Sequence, residues 1–244
     1  MLGYIEYHPE ETAKAYLRKE QRLGATFLVL NMGRGARGMF SARRAARAAD
    51  RMLAQGVRRA VFPTDFPHTA VFLHHGISPV DPLPLRRALS AVYVRRRLDA
   101  LGASAAQAVI AITGESASDD LVRSVRELTL SYRYVLLSLR SGGEELAQTL
   151  RRQYGISLLL NPSSEQLNRA DALVLFSPRP DLLLENRVLC TLYPGADERG
   201  RIPLRLDPAF ADTLPPNSSP DQLAAALYGA GTLPPERFLG EITC

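Results

Sequence analysis

The sequence predicts an α/β protein with mainly parallel sheets and flanking helices, Rossmann-like, in two halves. Three observations carry that expectation. Apolar runs of strand length alternate with helical stretches along most of the chain. Several of those runs, TFLVLNM (26–32), AVIAITG (108–114) and ADALVLFS (170–177), are apolar almost without interruption, as strands buried on both faces are. Glycines and capping residues stand at the ends of the helical stretches. Alternating strands and helices imply right-handed βαβ units. The halves are expected at residues 1–102, with a Gly/Arg-rich loop and a His/Pro-rich segment, and 103–244.

The elements follow in order. GYIEY (3–7) reads as a short strand. Residues 10–23 read as a helix, with Pro9 in its first turn and Glu10 and Glu11 complementing its dipole. TFLVLNM is a strand. A helix over 41–55 is expected to be capped by Ser41 and ended by Gly56. RRAVFP (58–63) is a strand. AVFL (70–73) fits a short strand or a helical turn, because Pro67, Pro79, Pro82 and Pro84 exclude a long element there. Residues 85–101 form a helix with Leu85, Leu89, Val92, Leu98 and Leu101 near one face. The second half alternates regularly: strands at 108–114, 134–139, 156–161, 170–177 and 187–193, and helices at 118–130 and 143–154. Ser163 and Gln166 are spaced as a capping box, and Ser219, Pro220 and Gln222 open a last helix.

Composition narrows the function classes. A chain of 244 residues with 46% hydrophobic and 23% charged residues is ordinary for a globular protein. No apolar run approaches the ~20 residues of a membrane span. The stretch MLGYIEYHPEETAK shows no basic n-region and no apolar h-region, so a cytoplasmic location is expected. Cys190 and Cys244 make no disulfide framework, and Cys190 in VLCTLY reads as a buried apolar residue. The net charge is +5, almost all of it from arginine, since Lys14 and Lys19 are the only lysines. No basic run carries interleaved aromatics, so a nucleic-acid partner is disfavoured.

NMGRGARGMFS (31–41) is the most pointed motif. Gly33, Gly35 and Gly38 spell G-x-G-x-x-G between a strand and a helix, the context of a phosphate-cradling loop. Arg34 and Arg37 lie inside it, and Arg43 and Arg44 open the helix, where acids are normally preferred. A bound anion would offset that cost. Over residues 26–65 the stretch partly resembles the Rossmann dinucleotide fingerprint, which implies a pyrophosphate on the helix N-terminus and Asp65 on a ribose. It departs from that pattern in Met39 and Phe40 before the cap, in the bulk of Arg34, and in the late position of Asp65. The alternative is a glycine-rich surface turn.

The corresponding loop of the second half, TGESASDD (113–120), carries three acids and one glycine, which repel a phosphate; Ser116 or Ser118 is expected to cap a helix there. ADALVLFS is similar in pattern to the fourth strand of many dehydrogenases. The segment 64–84 holds Asp65, His68, His74, His75 and Asp81. It lacks any established metal-ligand spacing, so no metal is assigned. Asp65 and His68 are the candidates for proton handling.

Two function classes follow. One is an enzyme or binding protein for an anionic small molecule or nucleotide, held by Gly33, Arg34, Gly35, Arg37 and Gly38. The other is a non-catalytic Rossmann-like protein acting through protein partners. No cofactor is assigned.

Overall fold

The computed structural model describes residues 1–8, 15–33, 39–212, 214 and 217–239. The fold is α/β, with mostly parallel sheets flanked by helices. The chain divides into two compact units. Unit 1 is Met1–Pro82 with Leu204–Phe238; unit 2 is Leu83–Pro203 with Leu239–Cys244. The expected division at residue 102 differs from this one by two pieces, the helix that follows Pro82 and the segment Leu204–Phe238.

Unit 1 holds five strands: β1 (Leu2–His8), β2 (Tyr16–Arg22), β3 (Ala25–Gly33), β4 (Arg59–Val61) and β5 (Ser78–Pro79). Their order is β2-β3-β1-β4-β5, and β2 alone runs antiparallel. Helices α1 (Met39–Ala54) and α2 (Thr69–His74) connect β3 to β4 and β4 to β5. One face of the sheet presents Ile5, Leu28, Leu30 and Met32 to Ala45, Ala48, Ala49 and Met52 of α1, and Phe72 of α2 joins the same core. Gly3 sits under α1: a Cβ there would lie 2.6 Å from Met52 and 2.8 Å from Val57. Gly56, in the left-handed region at φ 79°, ends α1. Its N–H donates to the Leu53 carbonyl, and the Val57 N–H to that of Met52, a Schellman closure.

Two expectations for unit 1 are corrected. The stretch expected as a helix over 10–23 is the strand β2 from Tyr16 onward; residues 9–14 lie outside the described residues. Leu23 at φ 48° and Gly24 at φ 79° make a two-residue turn of the kind that matches strand twist. Arg22 and Ala25 are therefore paired, and β2 is locked onto β3. The helix α1 starts at Met39, so Ser41 lies inside its first turn rather than at the cap position. Of the two options for AVFL, the helical one is found, as α2.

Unit 2 begins with α3 (Leu83–Ala100) and builds a fully parallel sheet from β6 (Val109–Gly114), β7 (Tyr134–Leu139), β8 (Leu159–Leu160), β9 (Ala172–Leu175) and β10 (Val188–Thr191). The order is β10-β9-β6-β7-β8. Counted from the first strand of the unit this is 3-2-1-4-5, five strands of the Rossmann order. Helices α4 (Asp119–Thr129), α5 (Gly143–Tyr154) and α6 (Ser164–Arg169) make the crossovers. The expected capping box of α6 is present between Ser163 and Gln166. Strand β8 is shorter than expected from 156–161: it is confined to Leu159–Leu160, and Asn161, in the left-handed region at φ 50°, ends it. After the short helix α7 (Pro208–Ala211), α8 (Pro220–Gly229) packs against β4 in unit 1. Among the described residues no helix is long and apolar enough to cross a membrane.

Candidate functional site

In a parallel sheet, ligands collect at the carboxyl ends of the strands. In unit 1 these ends carry its polar interior. Among the described residues of the unit, those buried and polar or charged are Glu6, Asn31 and His68. Glu6 stands near the end of β1, Asn31 near the end of β3, and His68 follows β4.

Alternation puts Tyr4, Glu6 and His8 of β1 on one face, beside Val29, Asn31 and Gly33 of β3. Arg18, Glu20 and Arg22 of β2 reach onto the same face. The Glu6 carboxylate accepts from Arg18 at 3.0 Å and 3.3 Å, from Arg22, and from the Asn31 amide at 3.5 Å. Glu20 accepts from Arg22 at 2.8 Å and Arg18 at 3.0 Å, and Arg22 foremost holds its carboxyl below the ordinary range. Burial works against the charge of Arg22, yet Glu20 and Glu6 keep its guanidinium above the usual value. That guanidinium also lies 4.3 Å from the centre of the Tyr4 ring. Burial raises the Tyr4 phenol, whose hydroxyl pairs with Ser218 at 2.6 Å. Two carboxylates face two guanidiniums, so the cluster is neutral, and Glu6 is already occupied four times over. The Asn31 Oδ1 acceptor has no donor among the described residues.

His68 lies among rings: Phe66 at 5.6 Å and Tyr7 at 6.5 Å, both edge to face. Burial lowers its pKa, so the imidazole is neutral near pH 7. His74 and His75 stand apart from it. They face each other at 5.8 Å, and His75 pairs with Asp50 of α1 at 2.7 Å. Asp65 is exposed. Among the described residues no group of three His, Cys, Asp or Glu side chains could hold a metal ion.

Of the expected loop residues, Gly33 is the last of β3, in register with His8. Arg34, Gly35, Arg37 and Gly38 lie outside the described residues. The chain re-enters at Met39 already helical, and the first turn of α1 contains no acid. Arg43 and Arg47 of the helix are exposed and Arg44 half-buried. Glu6 and Asn31 were not singled out from the sequence. Their signal was legible: a lone acid in YIEYH and an amide ending FLVLN, each inside an otherwise apolar strand.

The equivalent junction in unit 2 has the opposite character. Ser118 caps α4, its hydroxyl accepting from the Leu121 N–H at 3.4 Å. Asp119 and Asp120 occupy the first turn, and Asp120 pairs with Arg123 at 2.6 Å. Gly114 is required by packing, since a Cβ there would lie 2.6 Å from Leu121 Cδ1. Cys190 is fully buried, and burial pushes its thiol far above the reactive range. Cys244 lies outside the described residues.

No protein-family model and no curated protein matches the chain. Solved structures resemble it distantly. The catalytic subunit of aspartate transcarbamoylase from M. jannaschii is 15% identical, with 95% of this chain and 82% of that one covered, at a TM-score of 0.34. D-lactate dehydrogenase from Lactobacillus jensenii, solved with NAD+, is 11% identical over 74% of this chain and 64% of its own, at 0.34. L-tryptophan dehydrogenase from Nostoc punctiforme is 12% identical over 62% and 44%, at 0.32. The chain thus spans less than two thirds of either dehydrogenase. None of these likenesses assigns it an activity.

Proposed function

We propose that unit 1 binds an anionic small molecule, a phosphate or the phosphate end of a nucleotide, at the carboxyl edge of its sheet. The loop Gly33–Gly38 would wrap the anion, with Arg34 and Arg37 as its counter-charges. Neutral His68 and exposed Asp65 would meet the remainder of the ligand as hydrogen-bond partners. The observation that supports this reading is that Asn31, with its unpartnered Oδ1, and His68 are buried together with the Glu6 cluster at that one edge. A core gains nothing from buried polar groups unless they are partnered. The acid-free first turn of α1 points the same way.

The test is thermal unfolding with NAD(H), NADP(H), ATP, GTP, phosphate and sulfate, on the wild type and on an Arg34→Ala/Arg37→Ala variant. A ligand at a hundredfold excess over its Kd stabilises by about 2.7 kcal/mol. The expected result is a rise in Tm with at least one member, lost in the variant. A Tm unmoved by the whole panel would refute the reading.

A second reading, a protein that works through protein partners, is favoured by the open edge of unit 2's sheet. There Leu159 of β8 is 48% exposed and Tyr154 of α5 is 52% exposed.

A further inference from the structure

A second surface of unit 1 is built on the outer strand of the same sheet. Among the described residues strand β2 is outermost in its sheet and pairs with β3 alone, so along its seven residues one row of backbone N–H and C=O groups faces outward. Beside that row, between β2 and the last turns of α1, runs a concavity of about 400 Å³. Leu17, Leu28 and Ala54 give it an apolar floor, and Lys19 and Arg51 give it a cationic rim. Arg51 is twelve residues along α1 from Met39, roughly 18 Å at helical rise, so this part of the rim stands away from the N-terminus of α1.

Arg18, which also lines the groove, pairs with Glu6 and Glu20, but the rest of the groove's cationic charge is uncompensated among the described residues. Lys19 and Arg51 have no ion-pair partner among the described residues, nor has Arg47, one turn earlier on the helix. The one acid in α1, Asp50, is engaged by His75. Arginines four apart on a helix repel each other, which is a standing cost in the free protein. A lysine alone would suffice to guard an open edge against stray pairing. The two free arginines and the apolar floor beside it are not needed for that.

We propose that this edge takes an extended acidic peptide of another protein as an added strand. Backbone pairing to β2 would supply affinity. An apolar side chain opposite Leu17 and a carboxylate opposite Lys19, within reach of Arg51, would supply specificity. A polynucleotide matches the rim but neither the apolar floor nor the open backbone row. The exposed ring of Tyr16 is on the other face of the strand from Leu17 and Lys19, so it offers the groove no stacking platform. A second copy of this chain fits poorly, because two β2 strands meeting antiparallel about their centres would set Lys19 against Lys19.

The test uses the whole chain and a fluorescein-labelled peptide, Thr-Val-Thr-Glu-Thr-Glu-Thr, read by anisotropy. Three further probes accompany it: the same peptide with lysines for glutamates, the same peptide N-methylated at alternate amides, and a twelve-nucleotide oligothymidylate. The acidic peptide is expected to bind. The Lys19→Glu/Arg51→Glu variant is expected to weaken it about tenfold or more, and Lys19→Gln/Arg51→Gln by a smaller factor. The N-methylated and lysine peptides are expected not to bind. Circular dichroism checks that each variant is folded. No binding of the acidic peptide at about 1 mM overturns the proposal. So does undiminished binding of the N-methylated peptide, or tighter binding of the oligothymidylate, either of which would make the groove a non-specific polyanion surface.

Discussion

Strand β3 leaves unit 1's sheet through Gly33, and the chain is helical again at Met39; β6 leaves unit 2's sheet through Gly114, and the chain is helical again at Asp119. The two junctions occupy the same place in a strand-to-helix crossover and have opposite electrostatics. In unit 2 a serine caps the helix, two aspartates sit in its first turn, and Leu121 closes down on Gly114. The cap and the first-turn acids that a helix N-terminus favours are both supplied by the chain. In unit 1 the first turn has no acid, and arginines follow within the next residues. The unit with the Rossmann strand order is the one whose junction carries its own serine cap and first-turn acids. Strand order places an edge where a ligand can sit; the charge and packing at that edge decide whether it is open to one.

The largest effect that would sharpen this contrast lies in the polar interior. Glu6→Ala leaves the largely buried Arg22 with Glu20 as its remaining carboxylate partner and is expected to destabilise unit 1 by about 3 kcal/mol, the low end for breaking a buried pair. Urea unfolding would read it. Replacing Glu6 and Arg22 together by leucine should recover most of the loss, because it removes both charges. If Glu6→Ala unfolded no more easily than the wild type, the cluster would be a solvated surface feature and the contrast between the units would fail.

Next in size is Gly114→Ala. The new methyl meets Leu121 at 2.6 Å and Leu139 at 3.3 Å, and overpacking of this kind costs about 1–3 kcal/mol. Combining it with Leu121→Ala should cost less than the sum of the two single changes, since the clash disappears. Additive losses would mean that Leu121 does not close the unit 2 junction. Ser118→Ala follows at about 1 kcal/mol, the usual value of an N-cap.

Most of this contrast could be read before any coordinates. The charges of the two loops, the cap at Ser118, the strand 134–139 and the helix 143–154 ended by Gly155 all stand in the sequence, because each depends on neighbours along the chain. What escaped depends on partners far away. YLRKEQR looks helical by propensity, and only pairing with β3 through an unusual Leu-Gly turn makes it a strand. With β2 misplaced, Arg18 and Arg22 could not be brought to Glu6, so the polar cluster at the edge was invisible. Glu6 and Asn31 come together across a parallel pair 25 residues apart.

A single proton is at stake at His68. All four histidines lie in unit 1. Burial lowers the pKa of His68 from its ordinary 6.5. Above 6.5 the group is neutral in both folded and unfolded states and adds no pH dependence. As pH falls through 6.5 the unfolded chain takes up a proton that the folded protein refuses, so stability drops until the folded value is reached. His68→Phe should flatten that part of the stability profile. An unchanged slope would place His68 in water.

The smallest effect bears most directly on function. Ala42 is exposed in the fourth position of α1. Ala42→Glu gives unit 1 the kind of first-turn acid that unit 2 already has. In the absence of ligand it should stabilise the protein by a few tenths of a kcal/mol, up to about 1 kcal/mol, through the helix dipole. With phosphate or a nucleotide present, the same carboxylate would repel the anion and reduce the ligand-induced rise in Tm. The two signs are opposite by construction: the change improves the free protein and impairs the bound one. A variant that gained stability and kept its full ligand response would show that the anion sits elsewhere. A variant that lost stability without ligand would show that the N-terminus of α1 is already supplied with negative charge by the chain, as α4 is.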